Sequence, residues 1–176
     1  MAHWTGKLKK MDACQEAIDW AKQYPNLQAA WDNCPRADWM LWLAAHQGLT
    51  LDRHCAMVRA VCQMVRRQLH HVSPAESEPL RAIEAAEKWA ANPTTANANA
   101  AWEVAPAAEW ATTRARAAWA ADAAWAAAKA AAWAEADAAR EVAEWARVAT
   151  EKMAAEAAIQ ADILRQHLTC PERDER

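Results

Sequence analysis

The chain has 176 residues, 54% of them hydrophobic and 24% charged, with a formal net charge of -3; this balance describes a globule and excludes both a disordered chain and a broadly basic binder of duplex nucleic acid. With Gly6 and Gly48 as the only glycines, phosphate-cradling loops and dinucleotide fingerprints are excluded, because they need several glycines to bring backbone against phosphate. Alanine dominates, phenylalanine is absent and Tyr24 is the single tyrosine, so the expected fold class is all-α, a compact bundle of about seven to eight helices without a sheet.

In chain order, Met11 to Lys22 sets Cys14, Ile18 and Ala21 at helical spacing, and Tyr24-Pro25-Asn26 ends that helix and supplies an N-cap for the next. Asn26 to Asn33 carries Leu27, Ala30 and Trp31, before Cys34-Pro35 opens a third helix with proline as its first residue. There Trp39, Trp42, Leu43 and His46 share a stripe, Gly48 suits the C-terminal cap, and Thr50 caps a fourth helix. That helix, Leu51 to His71, has an apolar stripe of Leu51, Cys55, Val58, Cys62, Val65 and Leu69. Beside the stripe, Arg59, Arg66 and His70 project within about 40° of one another, forming a basic shoulder on a helix whose only acid is Asp52.

The proline-marked segment Val72 to Leu80 is the preferred seam between a Trp-rich front half, 1–73, and an Ala/Trp-rich back half, 74–176, which fold together as one domain. A fifth helix with Leu80, Ile83, Ala86 and Ala90 runs to Asn92-Pro93. From Thr94 on, the stretch between Pro106 and Pro171 alone would be roughly 95 Å long as one straight helix, against a globule roughly 40 Å across. Three helices are therefore expected there, with Pro106 as the strong breaker and corners at Thr112-Thr113, Ala136-Asp137 and Thr150.

Five cysteines, Cys14, Cys34, Cys55, Cys62 and Cys170, include no close pair of zinc-ribbon type. They are expected to be buried, reduced thiols of a cytoplasmic protein, and no metal or cofactor is expected. The N-terminus has no apolar run behind its lysines, and Asp122, Lys129, Glu135, Asp137 and Arg140 interrupt the alanine-rich half, so neither an export signal nor a spanning helix is expected. No Ser-His-Asp or Cys-His signature is recognisable, and the paired acids Glu141 and Glu144 belong on a surface helix, so the expectation is a protein that is not an enzyme and has no catalytic residues.

Three segments, Cys14-Gln-Glu-Ala-Ile-Asp-Trp-Ala-Lys-Gln-Tyr, Trp31-Asp-Asn-Cys-Pro-Arg-Ala-Asp-Trp-Met-Leu-Trp-Leu and Arg81-Ala-Ile-Glu-Ala-Ala-Glu-Lys-Trp-Ala, carry a resemblance to an immunity protein family of bacteria and phages. The block Asp38-Trp-Met-Leu-Trp-Leu43 is its specific part, and Ala37 departs from the glycine that the family pattern implies. The resemblance implies a non-enzymatic protein of bacterial or phage conflict, with no catalytic residues to carry over.

Large aromatics at helical spacing, here Trp39 and Trp42, are core residues first, yet 12 tryptophans exceed what a core of this size needs, and indoles on an alanine scaffold can line a pocket that stacks a flat ligand. Asp19, Asp32 and Asp38 each adjoin a tryptophan, where an acid can cap a helix, accept an indole N–H or bind a base edge. Arg59, Arg66 and His70 are either a solvated basic face or the phosphate-binding half of such a pocket. Two functions follow. The first is an immunity-type inhibitor that masks a toxin or defence-system protein by occupancy, through an apolar or acidic patch on the Glu135 to Glu156 side. The alternative is a phage sponge that sequesters a small nucleotide signal between Trp39, Trp42, Asp38, Arg59, Arg66 and His70, and it requires those tryptophans and arginines to converge on one cavity. A packing-only scaffold that forms a homo-oligomer through alanine faces is a third possibility.

Overall fold

The computed structural model describes residues 3–48, 50–67, 69, 77–114 and 154–170, the side chains of 105–114 and 154–156 excepted. Among the described residues there are eight helices and no strand: α1 (Gly6–Lys10), α2 (Gln15–Ala21), α3 (Leu27–Asn33), α4 (Ala37–His46), α5 (Leu51–Arg66), α6 (Glu78–Ala91), α7 (Thr95–Arg114) and α8 (Ala154–His167). The chain is all-α, as its composition predicts.

Local chemistry sets most of the boundaries. Asn26 accepts the Ala29 N–H at 2.8 Å and Thr50 accepts the Arg53 N–H at 3.3 Å, so α3 and α5 begin at the expected caps. Gly48, at φ +87°, follows α4 in the left-handed conformation that ends helices. The first helix is split, however. Asp12 sits at φ 59°, with the Asp12 N–H bonded to Lys9 O and the Ala13 N–H to Leu8 O, a Schellman pair that closes α1 and delays α2 to Gln15. Likewise α4 begins at Ala37, two residues past Pro35, with Arg36 as its N-cap.

Helix α5 packs against α6 and α8, α6 against α7, and α8 also against α4. A single core cluster joins Leu8, Ile18 and Leu27 of the front helices to Leu41 of α4, Met57 and Val61 of α5, Ile83 of α6 and Leu164 of α8. Of the predicted α5 stripe, Cys55, Val58, Cys62 and Val65 are buried, Leu69 is half-buried and Leu51 is exposed. Four of the five cysteines are buried as expected, but Cys14 is exposed. Helix α7 runs through both Pro106 and Thr112-Thr113, so neither interrupts it. One proline removes a single backbone hydrogen bond and strains one turn, and an alanine-rich helix of 20 residues absorbs that cost. The expected corners at Ala136-Asp137 and Thr150 lie outside the described residues. No described helix is long and apolar enough to cross a membrane.

Candidate functional site

Helices α1 to α4 have 5, 7, 7 and 10 residues, and elements this short leave room between them when their junctions carry indoles. The result is a cavity of about 610 Å³, within the roughly 300–1,000 Å³ of small-molecule sites. Its walls include the indoles of Trp4, Trp20, Trp31, Trp39 and Trp42. On α4 the stripe predicted from sequence, Trp39, Trp42, Leu43 and His46, faces this space, while Leu41, Ala44 and Ala45 are buried in the core cluster.

The indoles are held in place by one another and by backbone. Trp39 meets Trp20 with ring centroids 5.7 Å apart at 55°, and Trp20 meets Tyr24 at 4.8 Å, both within the range of tilted aromatic pairs. The Trp4 Nε1–H donates to the Tyr24 carbonyl at 2.8 Å, tying the N-terminal segment to the turn before α3. His46 stacks on Trp42 at 4.1 Å, and its Nδ1 donates to the Trp42 carbonyl at 2.8 Å. The expected packing of His46 beside Trp42 is therefore observed.

The charges of the cavity are arranged around Arg36. Its Nε donates to Asp38 Oδ1 at 2.9 Å and its second guanidinium nitrogen to Oδ2 at 2.7 Å, a bidentate fork that fixes both groups. Glu16 lies 3.6 Å from the same guanidinium. That guanidinium also sits over the Trp39 ring, 4.7 Å from its centroid. The hydrogen bonds that Arg36 donates to Asp38 raise the Arg36 pKa above its ordinary value. Asp12 and Glu16, both exposed, and Cys14, also exposed, line the cavity as well. The neighbouring Cys34 thiol is buried, and burial pushes its pKa up to about 11, so at neutral pH it is a protonated, unreactive group.

Of the predicted site residues, the structure brings together Asp38, Trp39 and Trp42 and places Arg59 and Arg66 elsewhere. Arg59 donates to the Ala90 carbonyl at 2.8 Å, near the C-terminus of α6. Arg66 forms a bidentate pair with Glu87 at 2.6 and 2.7 Å, and that pairing raises its pKa. Neither arginine lines the tryptophan cavity, so the convergence required of a tryptophan-arginine pocket does not occur. The reason is that the basic shoulder abuts α6, which supplies a carboxylate and a carbonyl across the helix interface. His70 lies outside the described residues, as do the side chains of the Glu135 to Glu156 patch. Asp19 accepts from Gln15 and Lys22, and Asp32 from Gln28, all within one helical turn. Among the described residues, no hydrogen bond joins Asp19, Asp32 or Asp38 to an indole N–H.

Sequence reasoning passed over Arg36, Cys14, Glu16, Trp4 and Trp31 as site residues. One signal was available for the tryptophans: five of the twelve fall within the first 42 residues, in helices too short to bury them all. The chain matches no family model, no curated protein and no solved structure.

Proposed function

We propose that this chain is a non-enzymatic binding protein that neutralises its target by occupancy, as an immunity-type protein of bacterial or phage conflict does, and that the tryptophan cavity of α1–α4 is its binding site. The observation that carries the proposal is the cavity itself: five tryptophans around about 610 Å³, with Trp20 and Trp39 packed on each other and Trp42 stacked on His46, a prepared surface for recognition. Its most deeply placed thiol, Cys34, is held protonated near pKa 11 by burial, and its guanidinium is engaged by Asp38. Those groups bind and orient; they are not poised as nucleophile or base.

The nucleotide-sponge alternative is disfavoured by the same geometry. A phosphate needs guanidinium forks or other donors that can turn to it, and Arg59 and Arg66 are engaged by α6 while Arg36 is engaged by Asp38. The test has two arms. Titration with nucleotides and cyclic dinucleotides, followed by tryptophan fluorescence and melting temperature, is expected to give a flat response; a saturable response with a rise in melting temperature overturns the occupancy reading in favour of the sponge. In a bacterial host challenged with phage or with toxins of competing strains, protection is expected to scale with the amount of this chain and to be lost in Ala17→Trp, which fills the cavity. Protection by trace amounts, or undiminished protection by Ala17→Trp, contradicts the proposal.

A further inference from the structure

We infer that the tryptophan cavity takes a small organic cation with a flat, apolar body. This rests on the reading of that cavity as the binding site and goes beyond it by naming the ligand's charge and shape.

Three observations converge on a cation. The first is the wall chemistry: an indole face carries the negative end of the ring quadrupole and attracts cations, most strongly where water is displaced. The second is a precedent inside the molecule. Trp39 already holds a cation on its face, the Arg36 guanidinium at 4.7 Å, so an indole of this lining accepts a flat cation at cation–π distance. The third is the charge of the lining. Asp12, Glu16 and Asp38 are its acids and Arg36 its one arginine or lysine, which leaves three negative charges against one positive, a formal excess of two with His46 neutral. The lysines of α1, Lys7, Lys9 and Lys10, do not line the cavity.

The one guanidinium of the lining and two of its ring N–H groups are already engaged. Arg36 gives its fork to Asp38, the Trp4 N–H goes to the Tyr24 carbonyl and the His46 Nδ1 goes to the Trp42 carbonyl. A cation finds the exposed carboxylates of Asp12 and Glu16 in the same lining as the indoles. Glu16 is only 3.6 Å from Arg36 and 71% exposed, a loose contact that leaves its carboxylate able to serve a second cation. The flat, apolar body follows from the walls, since five indoles offer stacking area and the volume admits a fused-ring ligand.

Three probes of matched shape and different charge test this at pH 8: N-methylquinolinium, quinoline and naphthalene-2-sulfonate. Cys14 provides a readout independent of fluorescence quenching, because it is the one exposed cysteine and it lines the cavity. N-Methylquinolinium is expected to protect Cys14 from maleimide, to raise the melting temperature saturably and to bind at least about tenfold more tightly than naphthalene-2-sulfonate. In the double variant Asp12→Asn/Glu16→Gln that preference should shrink to below about threefold, while quinoline binding changes by less than about twofold. Asparagine tolerates the positive φ of Asp12 as well as aspartate does, so the variant preserves the turn. Equal or tighter binding of the sulfonate, or a cation preference that survives in the double variant, overturns the inference. Quinoline and N-methylquinolinium binding equally overturns it too and leaves the occupancy reading standing; failure of all three probes to protect Cys14 or shift the melting temperature overturns both.

Discussion

Helix α5 buries Met57, Val58, Val61, Met64 and Val65 to 1% exposure or less, whereas α4, only ten residues long, keeps Trp39 and Trp42 half-buried beside an open cavity. Both helices belong to the same core cluster. They differ in what faces them. The sixteen residues of α5 meet α6 and α8, of fourteen residues each, which are long enough to close over an apolar stripe. One side of α4 faces the cavity whose other walls come from α1 to α3, helices whose short lengths and intervening turns prevent such closure. Apolar side chains thus close a core in one region and border an open cavity in the other, and it is partner length, more than residue type, that separates the two.

The largest effect expected from this contrast is in stability. Met57→Ala should cost about 3 kcal/mol, the usual figure for a large side chain removed from a closed core. Trp42→Ala, although it removes a larger group, should cost only about 1 kcal/mol, because the indole borders space that is already open. Urea denaturation of both variants checks the order, and equal losses would break the comparison. Next in size is Arg165, which donates from α8 to the Trp31 carbonyl at 3.1 Å and to the Cys34 carbonyl, and so satisfies acceptors at the end of α3. Arg165→Met should cost about 2 kcal/mol by taking this donor from the Cys34 carbonyl and leaving the Trp31 carbonyl only the Cys34 N–H, and it should also weaken cavity binding, since Trp31 and Cys34 are wall residues. Smaller still is Arg66→Ala. Its pair with Glu87 is 41% and 35% exposed, so the loss should stay under about 1 kcal/mol, and N-methylquinolinium binding should be unchanged. A large binding defect in Arg66→Ala would reunite the two regions that the structure separates.

The smallest effect concerns pH. Burial, and secondarily the charge of Arg59, lowers the His167 pKa below its ordinary 6.5. The unfolded chain therefore binds the proton more readily than the folded one, so the neutral ring supports stability above that value and the support is lost as pH falls below it, through the lower folded value. Its Nε2 is 2.7 Å from Gln63 Oε1. His167→Gln should flatten part of the acid-side fall in melting temperature, and an unchanged pH profile would exclude this contribution.

How much of this was readable beforehand follows from the range of each interaction. The caps at Asn26 and Thr50, the stop at Gly48 and the end of α6 before Asn92-Pro93 are local, and all are found where the residues predict them. The break at Asp12 was missed because an aspartate at positive φ is selected by the turn around it and not by its own propensity. Proline rules suggested a break at Pro106, yet the surrounding helix continues. For the site, the stripe of Trp39 and Trp42 on α4 was legible, because spacing alone sets which residues share a helical face. The destination of Arg59 and Arg66 was not. Their partners lie 31 and 21 residues away on α6, and a helical projection cannot say what stands opposite a face. The Arg36–Asp38 fork spans two residues and is of a range that sequence can suggest, but the cluster of Arg59 and Arg66 on one face of α5 is the stronger phosphate-type signal in the sequence.

The most direct test of the central claim uses the twelve indoles themselves. Assigned Nε1–H resonances, followed by two-dimensional NMR during titration with N-methylquinolinium, are expected to shift saturably at Trp20, Trp39 and Trp42 of the open region and to stay fixed at Trp89, which is buried beside His54 in the closed one. Shifts spread evenly over all indoles, or shifts confined to Trp89, would contradict the assignment of α1–α4 as the binding site.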